Sequence, residues 1–165
     1  MREVAEQLGG RVDYLFCAAS TCGTVRGCVE YARSQNMPMR MVAVDAVGSV
    51  LFGGKPGKRL IPGHGASIKP SLHQPELVDR VVPVTDFDCI IGCRRLVRLE
   101  GILAGGSSGG IVTAFERILD TIEDHAVCVA ILADRGERYL DTIYSDQWVA
   151  EHFGNDPALA ERIAS

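Results

Sequence analysis

An apolar run of strand formers, Val12-Asp13-Tyr14-Leu15-Phe16-Cys17-Ala18, is broken at once by small and hydroxyl residues. A helical pattern from Val25 to Ser34 follows directly. A second strand pattern covers Met39 to Val44. Two strands bridged by a helix cannot form a hairpin, and they make the crossover unit of a parallel sheet. This unit constrains everything else, because a parallel sheet needs apolar cover on both faces.

The remaining chain offers pieces to build that cover. Val4 to Leu8 reads as a short helix ending at Gly9-Gly10. From Gly48 to Pro75 glycines and prolines sit among basic residues and histidines, which predicts a long loop with at most short helical pieces. Arg80 to Val84 reads as a strand, and Asp86 is a candidate N-cap for a helix from Phe87 to Glu100. A small-residue loop from Gly101 to Gly110 then leads to a helix from Ile111 to Ile122. Ala126 to Ala133 is continuously apolar, as expected of a central strand. A turn and loop from Asp134 to Thr142, a short amphipathic helix from Asp146 to Phe153 and a loosely held tail complete the reading. At 165 residues the chain suits one domain, 1–165, with its own core.

Composition narrows the function. The net charge is −4 and the basic residues form no long run, which argues against a nucleic-acid partner. No apolar stretch reaches the roughly 18 residues of a membrane span. The first ten residues lack the apolar core of a signal peptide, so a cytoplasmic location is expected. No two cysteines show Cys-x-x-Cys spacing. Cys17 and Cys128 lie in apolar runs and read as buried. Cys89 and Cys93 share a helix face, where packing is a better account than metal binding.

Two glycine-rich turns carry the chemistry. Ala19-Ser20-Thr21-Cys22-Gly23-Thr24 stands between a strand and a helix. Unpaired N–H groups, a partial positive charge and hydroxyl donors there suit a phosphate. It lacks the Gly-Lys-Ser/Thr ending of a P-loop and the Gly-x-Gly-x-x-Gly spacing of dinucleotide folds. Taken alone, an ordinary strand–helix turn explains it equally well. The second turn, Gly105-Gly106-Ser107-Ser108-Gly109-Gly110, also opens a helix; a close helix–strand contact is its plain explanation.

Taken in order, these segments resemble the second half of the cysteine synthase family. Those are pyridoxal-phosphate (PLP) enzymes with the tryptophan synthase β-subunit fold. Ser20-Thr21-Cys22-Gly23-Thr24 stands at the family's Gly-Thr-Gly-Gly-Thr. Gly53-Gly54-Lys55-Pro56-Gly57 and Pro62-Gly63-His64-Gly65-Ala66 match its Gly-Gly-Lys-Pro and Gly-x-Gly-Ala segments. The stretch from Glu100 to Gly109 matches Glu-Gly-Ile-Leu-x-Gly-x-Ser-Ser-Gly, and Glu137-Arg138-Tyr139-Leu140 matches Glu-Arg-Tyr-Leu. The segments Val42 to Val50 and Lys58 to Ser67 look like the siderophore-pathway branch that makes N-(2-amino-2-carboxyethyl)-L-glutamate, on the way to 2,3-diaminopropionate.

The resemblance implies an α/β fold, the parallel-sheet αβα domain of the fold-type II PLP enzymes, incomplete relative to the family. It implies PLP as cofactor, with its phosphate on Ser20, Thr21, Cys22, Gly23 and Thr24 and its pyridine nitrogen facing Ser107. Cys22 replaces a glycine, so its backbone should be one that a side chain tolerates. Ser108 would instead cap the following helix. Gly63, His64 and Gly65 match the substrate-entrance loop, with His64 shaping the pocket rather than moving protons. Arg59 is either a partner for a substrate carboxylate or phosphate or a solvated loop arginine.

The implied reaction is β-replacement on an O-activated L-serine: O-phospho-L-serine with L-glutamate in the siderophore branch, O-acetylserine with sulfide in the plain synthases. In the family the lysine that anchors PLP lies ahead of the phosphate loop, in an N-terminal half. None of Lys55, Lys58 and Lys69 matches it, so no catalytic residue is assigned and this chain alone is expected to be inactive. A homodimer is expected of the full-length family. Two other classes stay open on the residues: a non-catalytic interaction subunit, and a Rossmann-like nucleotide module gripping ribose through Asp45.

Overall fold

The structure is a computed structural model that describes residues 1–154 and Arg162. Four strands, β1 (Tyr14–Ala18), β2 (Arg40–Ala46), β3 (Arg80–Val84) and β4 (Cys128–Ala130), form one sheet in the order β3-β2-β1-β4. All three pairings are parallel, with Phe16 opposite Val42 and Val44 opposite Val82. Five α-helices are described: α1 (Arg2–Gln7), α2 (Gly23–Ser34), α3 (Asp86–Glu100), α4 (Gly106–Ile118) and α5 (Asp146–Phe153).

Side chains alternate across each strand, and the two sets feed two cores. Phe16, Val42, Val44, Val82 and Val84 pack with Ile90 of α3, Ile111 and Ala114 of α4 and Val149 of α5. Leu15, Cys17, Met41 and Ala43 pack on the other side with Val25, Cys28 and Val29 of α2. The result is the αβα layering expected of this chain. Pro83 cannot donate to a ladder, and it sits on β3, at one sheet edge.

Three expectations are corrected. The cap of α3 is Thr85, not Asp86. The Thr85 hydroxyl accepts from the Asp88 N–H at 3.1 Å while Asp88 Oδ2 accepts from the Thr85 N–H at 2.8 Å, a reciprocal capping box. Asp86 accepts instead from the N–H of Leu60 at 2.7 Å and of Ile61 at 3.3 Å, and so pins the long loop.

The second correction is the start of α4. It begins at Gly106 rather than Ile111, so the Gly-Ser-Ser-Gly-Gly stretch is helical. Each glycine costs about 1 kcal/mol against alanine in a helix. Contact with α3 offsets that cost: a Cβ on Gly92 would lie 2.0 Å from the Gly109 carbonyl oxygen, and one on Gly109 would lie 2.0 Å from that of Cys89. Only bare backbone fits there.

The third correction is β4, which has three residues and lies at the sheet edge, half-buried, not at its centre. Past it the chain turns to meet the start of α4, where the Gly105 N–H donates to the Asp134 carbonyl at 3.0 Å. Cys128 is accordingly half-buried, whereas Cys17 is buried. The expected loose tail lies outside the described residues.

The glycine contact is directly testable. Gly109→Ala should lower stability by about 1–3 kcal/mol through overpacking, despite the better helix former. Gly27→Ala in α2, where a Cβ would meet nothing within 4 Å, should raise stability by up to about 1 kcal/mol. Urea midpoints at constant slope read both, and equal effects in the two helices would refute the contact.

Candidate active site

The first turn leaves the C-terminal end of β1, where open parallel sheets place their ligands. The Ala19 N–H donates to the Val44 carbonyl at 2.9 Å, so the chain leaves the sheet only after that bond. Cys22 then occupies the N-cap position of α2 with φ 65° and ψ 5°. This is left-handed, a region that side chains seldom adopt, and it corrects the expectation of a tolerant backbone. No side chain caps α2. Its first N–H groups are thus left for an external anion.

Ser20 does not present a free hydroxyl. It donates to the Gly65 carbonyl at 3.0 Å, and the Gly65 N–H returns a bond to the Ala19 carbonyl at 2.7 Å. The two bonds stitch the 63–65 segment to the turn. Gly65 has φ +70°, and a Cβ there would lie 2.4 Å from Arg59 Nη1 and 2.9 Å from Ala46 and Ser49. Glycine is needed for both conformation and space.

The second helix start faces the same place. Ser20, Thr21, Cys22 and Thr24 line one cleft together with Gly63 and Ser107. Its volume is about 140 Å³. Gly105 is the N-cap of α4, again without a side-chain cap, and Ser107 is 5% exposed. Ser108 corrects its expectation. It lies inside the helix, fully buried, and its hydroxyl has no hydrogen-bond partner, so it caps nothing.

His64 and Arg59 do not line this cleft. The His64 side chain is turned inward, 3% exposed, with Nδ1 3.7 Å from Cys89 Sγ. Burial pushes its pKa down to about 4, against a weaker opposing pull from the Val44 backbone, so the ring is neutral at pH 7. Its part is to anchor the loop against α3. Arg59 is a brace rather than a solvated arginine: Nη1 donates to the His64 carbonyl at 3.0 Å and Nη2 to the Ser67 hydroxyl at 2.7 Å. Of the substrate-loop residues only Gly63 reaches the cleft.

Sequence reasoning missed the residues that hold α4 in place. Tyr139 donates to Asp134 Oδ2 at 2.6 Å, and Tyr144 donates to the Ala104 carbonyl at 2.6 Å. The Asp134 carboxyl lies where a Gly105 Cβ would be, 2.0 Å away. The Glu-Arg-Tyr-Leu match was the available signal, and Tyr139 is its structural content.

Chemically, two uncapped helix starts and several small residues can take an anionic group at the first turn. Ser107 can offer a neutral hydroxyl at the other end. No lysine lines the cleft. Asp45 does not line it either. It faces a different cleft, so a nucleotide held at the first turn would lack the ribose partner that a nucleotide module needs. Among the described residues no helix is long and apolar enough to cross a membrane.

Comparison with known proteins places the chain in a family. The family model described as pyridoxal-phosphate dependent enzyme matches residues 1–134. An N-(2-amino-2-carboxyethyl)-L-glutamate synthase of Ralstonia nicotianae is 49% identical over 148 residues, covering 90% of this chain and 44% of the relative. An O-acetylserine-dependent cystathionine β-synthase of Helicobacter pylori superposes with a TM-score of 0.80 at 26% identity, over 87% of this chain and 47% of the other. A hydrogen sulfide-producing enzyme of Fusobacterium nucleatum gives 0.78 at 26% identity, over 84% and 48%. The chain thus spans about half the length of the relatives it matches. With most of its length matched, the chain belongs to the pyridoxal-phosphate-dependent enzyme family.

Proposed function

We propose that this chain is the phosphate-holding side of a PLP-dependent β-replacement enzyme that joins O-phospho-L-serine and L-glutamate into N-(2-amino-2-carboxyethyl)-L-glutamate. The observation that carries the reading is the pair of uncapped helix starts, α2 and α4, opening on one cleft that holds Ser107. The choice of substrates rests on the Ralstonia relative. Plain cysteine synthase activity, with O-acetylserine and sulfide, is the less favoured version of the same chemistry.

When bound, PLP supplies an electron sink that lets the amino-acid substrate lose its α-proton and then its β-substituent. The residues of this chain bind and orient. Backbone N–H groups at Thr21 to Thr24, with the Thr21 and Thr24 hydroxyls, would hold the PLP phosphate at the positive end of the α2 dipole. Ser20 and Gly65 hold the turn in register with the substrate loop, and Gly63 forms its inner wall. Ser107 offers the pyridine nitrogen a hydroxyl. A carboxylate there would keep the ring protonated and strengthen the sink, whereas a neutral partner leaves it weaker, which suits elimination and re-addition.

The cleft volume fits this division of labour. About 140 Å³ is well below the roughly 300–1,000 Å³ of complete ligand pockets, so these residues make one wall. The anchoring lysine and the grip on the substrate carboxylate would then belong to a further, N-terminal half, with residues 1–165 as a single domain. The assembled enzyme would be a cytoplasmic homodimer. The absence of a lysine from the cleft lining also favours a second reading, a binding remnant without catalysis.

Two measurements test the proposal. Gly23→Asp places a carboxylate at the start of α2, where a Cβ meets only Leu72 Cδ1 at 3.7 Å, so the fold should survive. Affinity for pyridoxal phosphate, followed by its absorbance, should fall about tenfold or more, since a fixed anion then opposes the phosphate. Unchanged affinity would place the phosphate elsewhere. Incubation with pyridoxal phosphate and borohydride should leave no stoichiometric pyridoxyl-lysine on peptide mapping. A single fully labelled Lys55, Lys58 or Lys69 would overturn the separation of anchor and cradle.

A further inference from the structure

The Gly53-Gly54-Lys55-Pro56-Gly57 segment plays no part in the cleft described above. It builds another one. The C-terminal ends of β2 and β3 and the 47–55 loop enclose about 490 Å³, lined by Asp45, Ser49, Phe52, Lys55, Val81 and Pro83 among others. That volume is in the range of sites for small molecules.

Its walls are set by backbone. The Gly57 N–H donates to the Gly48 carbonyl at 3.0 Å, closing the loop into a ring. A Cβ on Gly54 would lie 2.3 Å from the Ser49 carbonyl oxygen, so this residue cannot carry a side chain without moving the wall. Such closure preorganises the cleft and lowers the ordering cost of binding.

The chemistry inside it is unbalanced. Asp45 is 5% exposed and forms no ion pair among the described residues, although Arg59 and His73 attract its carboxylate from farther off. Oδ1 accepts from the Ala46 N–H at 2.9 Å; burial pushes the carboxyl pKa up, and the nearby Ser49 hydroxyl pulls it back. The Ser49 oxygen accepts from the N–H of Leu51 at 3.3 Å and of Ala66 at 3.1 Å. A buried carboxylate with so few donors is stabilised further by a cation. At the rim Lys55 is exposed and offers the opposite charge. The same lining carries the apolar side chains of Phe52, Val81 and Pro83, with Val47 half exposed.

We infer that this cleft is a second ligand site, for a small apolar amino acid bound as the zwitterion, its ammonium on Asp45 and its carboxylate on Lys55. The site stands apart from the one proposed for the phosphate, and its occupancy is readable without it. Ser49 joins the two. Its hydroxyl, beside Asp45 in this cleft, accepts from the N–H of Ala66, next to the Gly65 that is bonded to Ala19 and Ser20. Hydrogen bonds thus lead from Ser49, in the wall of this cleft, through the 65–66 backbone to the first turn, the arrangement an effector site needs.

Amide shifts of the 15N-labelled chain test this, with L-valine as probe and with isobutylamine and isovalerate, which keep its side chain and lose one charge each. L-valine should shift the amides of Asp45, Ala46, Ser49, Lys55 and Val81 saturably. Each half-ligand should bind about tenfold more weakly, the worth of one charge-assisted bond. Lys55→Gln, in an exposed loop position, should reduce L-valine to the level of isobutylamine and leave isobutylamine unchanged. Asp45→Asn should remove the response to both amines. The inference is overturned if L-valine produces no saturable shift, if Lys55→Gln leaves its affinity intact, if the shifts centre on residues 20–24, or if only magnesium chloride shifts these amides.

Discussion

The crossing of α3 and α4 at Gly92 and Gly109 fixes the positions of nearly everything that matters in this chain. With backbone against backbone at that point, α4 can lie at only one height along α3. Its first turn, with Ser107, is thereby carried to the end of β1. Any side chain at the crossing would push the helices apart, and Ser107 with them. Three glycines in the first five residues of α4, Gly106, Gly109 and Gly110, preceded by the Gly105 cap, would make a poor helix in isolation. Tertiary contact decides the matter, as it often does against weak intrinsic propensity.

A second network positions the other side. Asp86 holds Leu60 and Ile61, Arg59 holds the 64–67 turn, and Ser49 holds Ala66. Together these side chains give shape to a segment with no regular structure from 47 to 74. The final link, from Gly65 to the Ala19 carbonyl and the Ser20 hydroxyl, transfers that shape to the first turn. A loop this long is ordered here because its backbone groups find polar partners at the sheet's C-terminal edge, which is also where ligand chemistry is placed.

Much of this was legible in the sequence because burial has a period. The bounds of β3 and α5 read from the pattern are those observed, and β1, β2 and α2 agree within two residues. The parallel sheet followed from the first crossover. What failed had specific causes. Glycine at Gly106, Gly109 and Gly110 suggested a loop because the contact that makes them helical lies in α3, a different part of the chain. Thr85 lost to Asp86 as the expected cap because the partners of Asp86 are some 25 residues away. Ala126 to Ala133 looked central because apolar content does not say how many neighbours a strand has. His64 looked like a pocket residue because sequence does not tell which way a loop side chain turns; the Cys89 thiol and the space over Gly110 receive it. The candidate site was legible as two separate turns, and the resemblance supplied their pairing.

The central claim is that one cleft, between the starts of α2 and α4, receives the cofactor with its phosphate on residues 21–24 and its ring nitrogen toward Ser107. A crystal structure of this chain soaked with pyridoxamine 5′-phosphate, an analogue that requires no lysine, tests it most directly. The account predicts the phosphate on the backbone N–H groups of Thr21 to Thr24 and the ring nitrogen within hydrogen-bond distance of the Ser107 hydroxyl. Phosphate bound away from α2, or a ring nitrogen with no contact to Ser107, would contradict it.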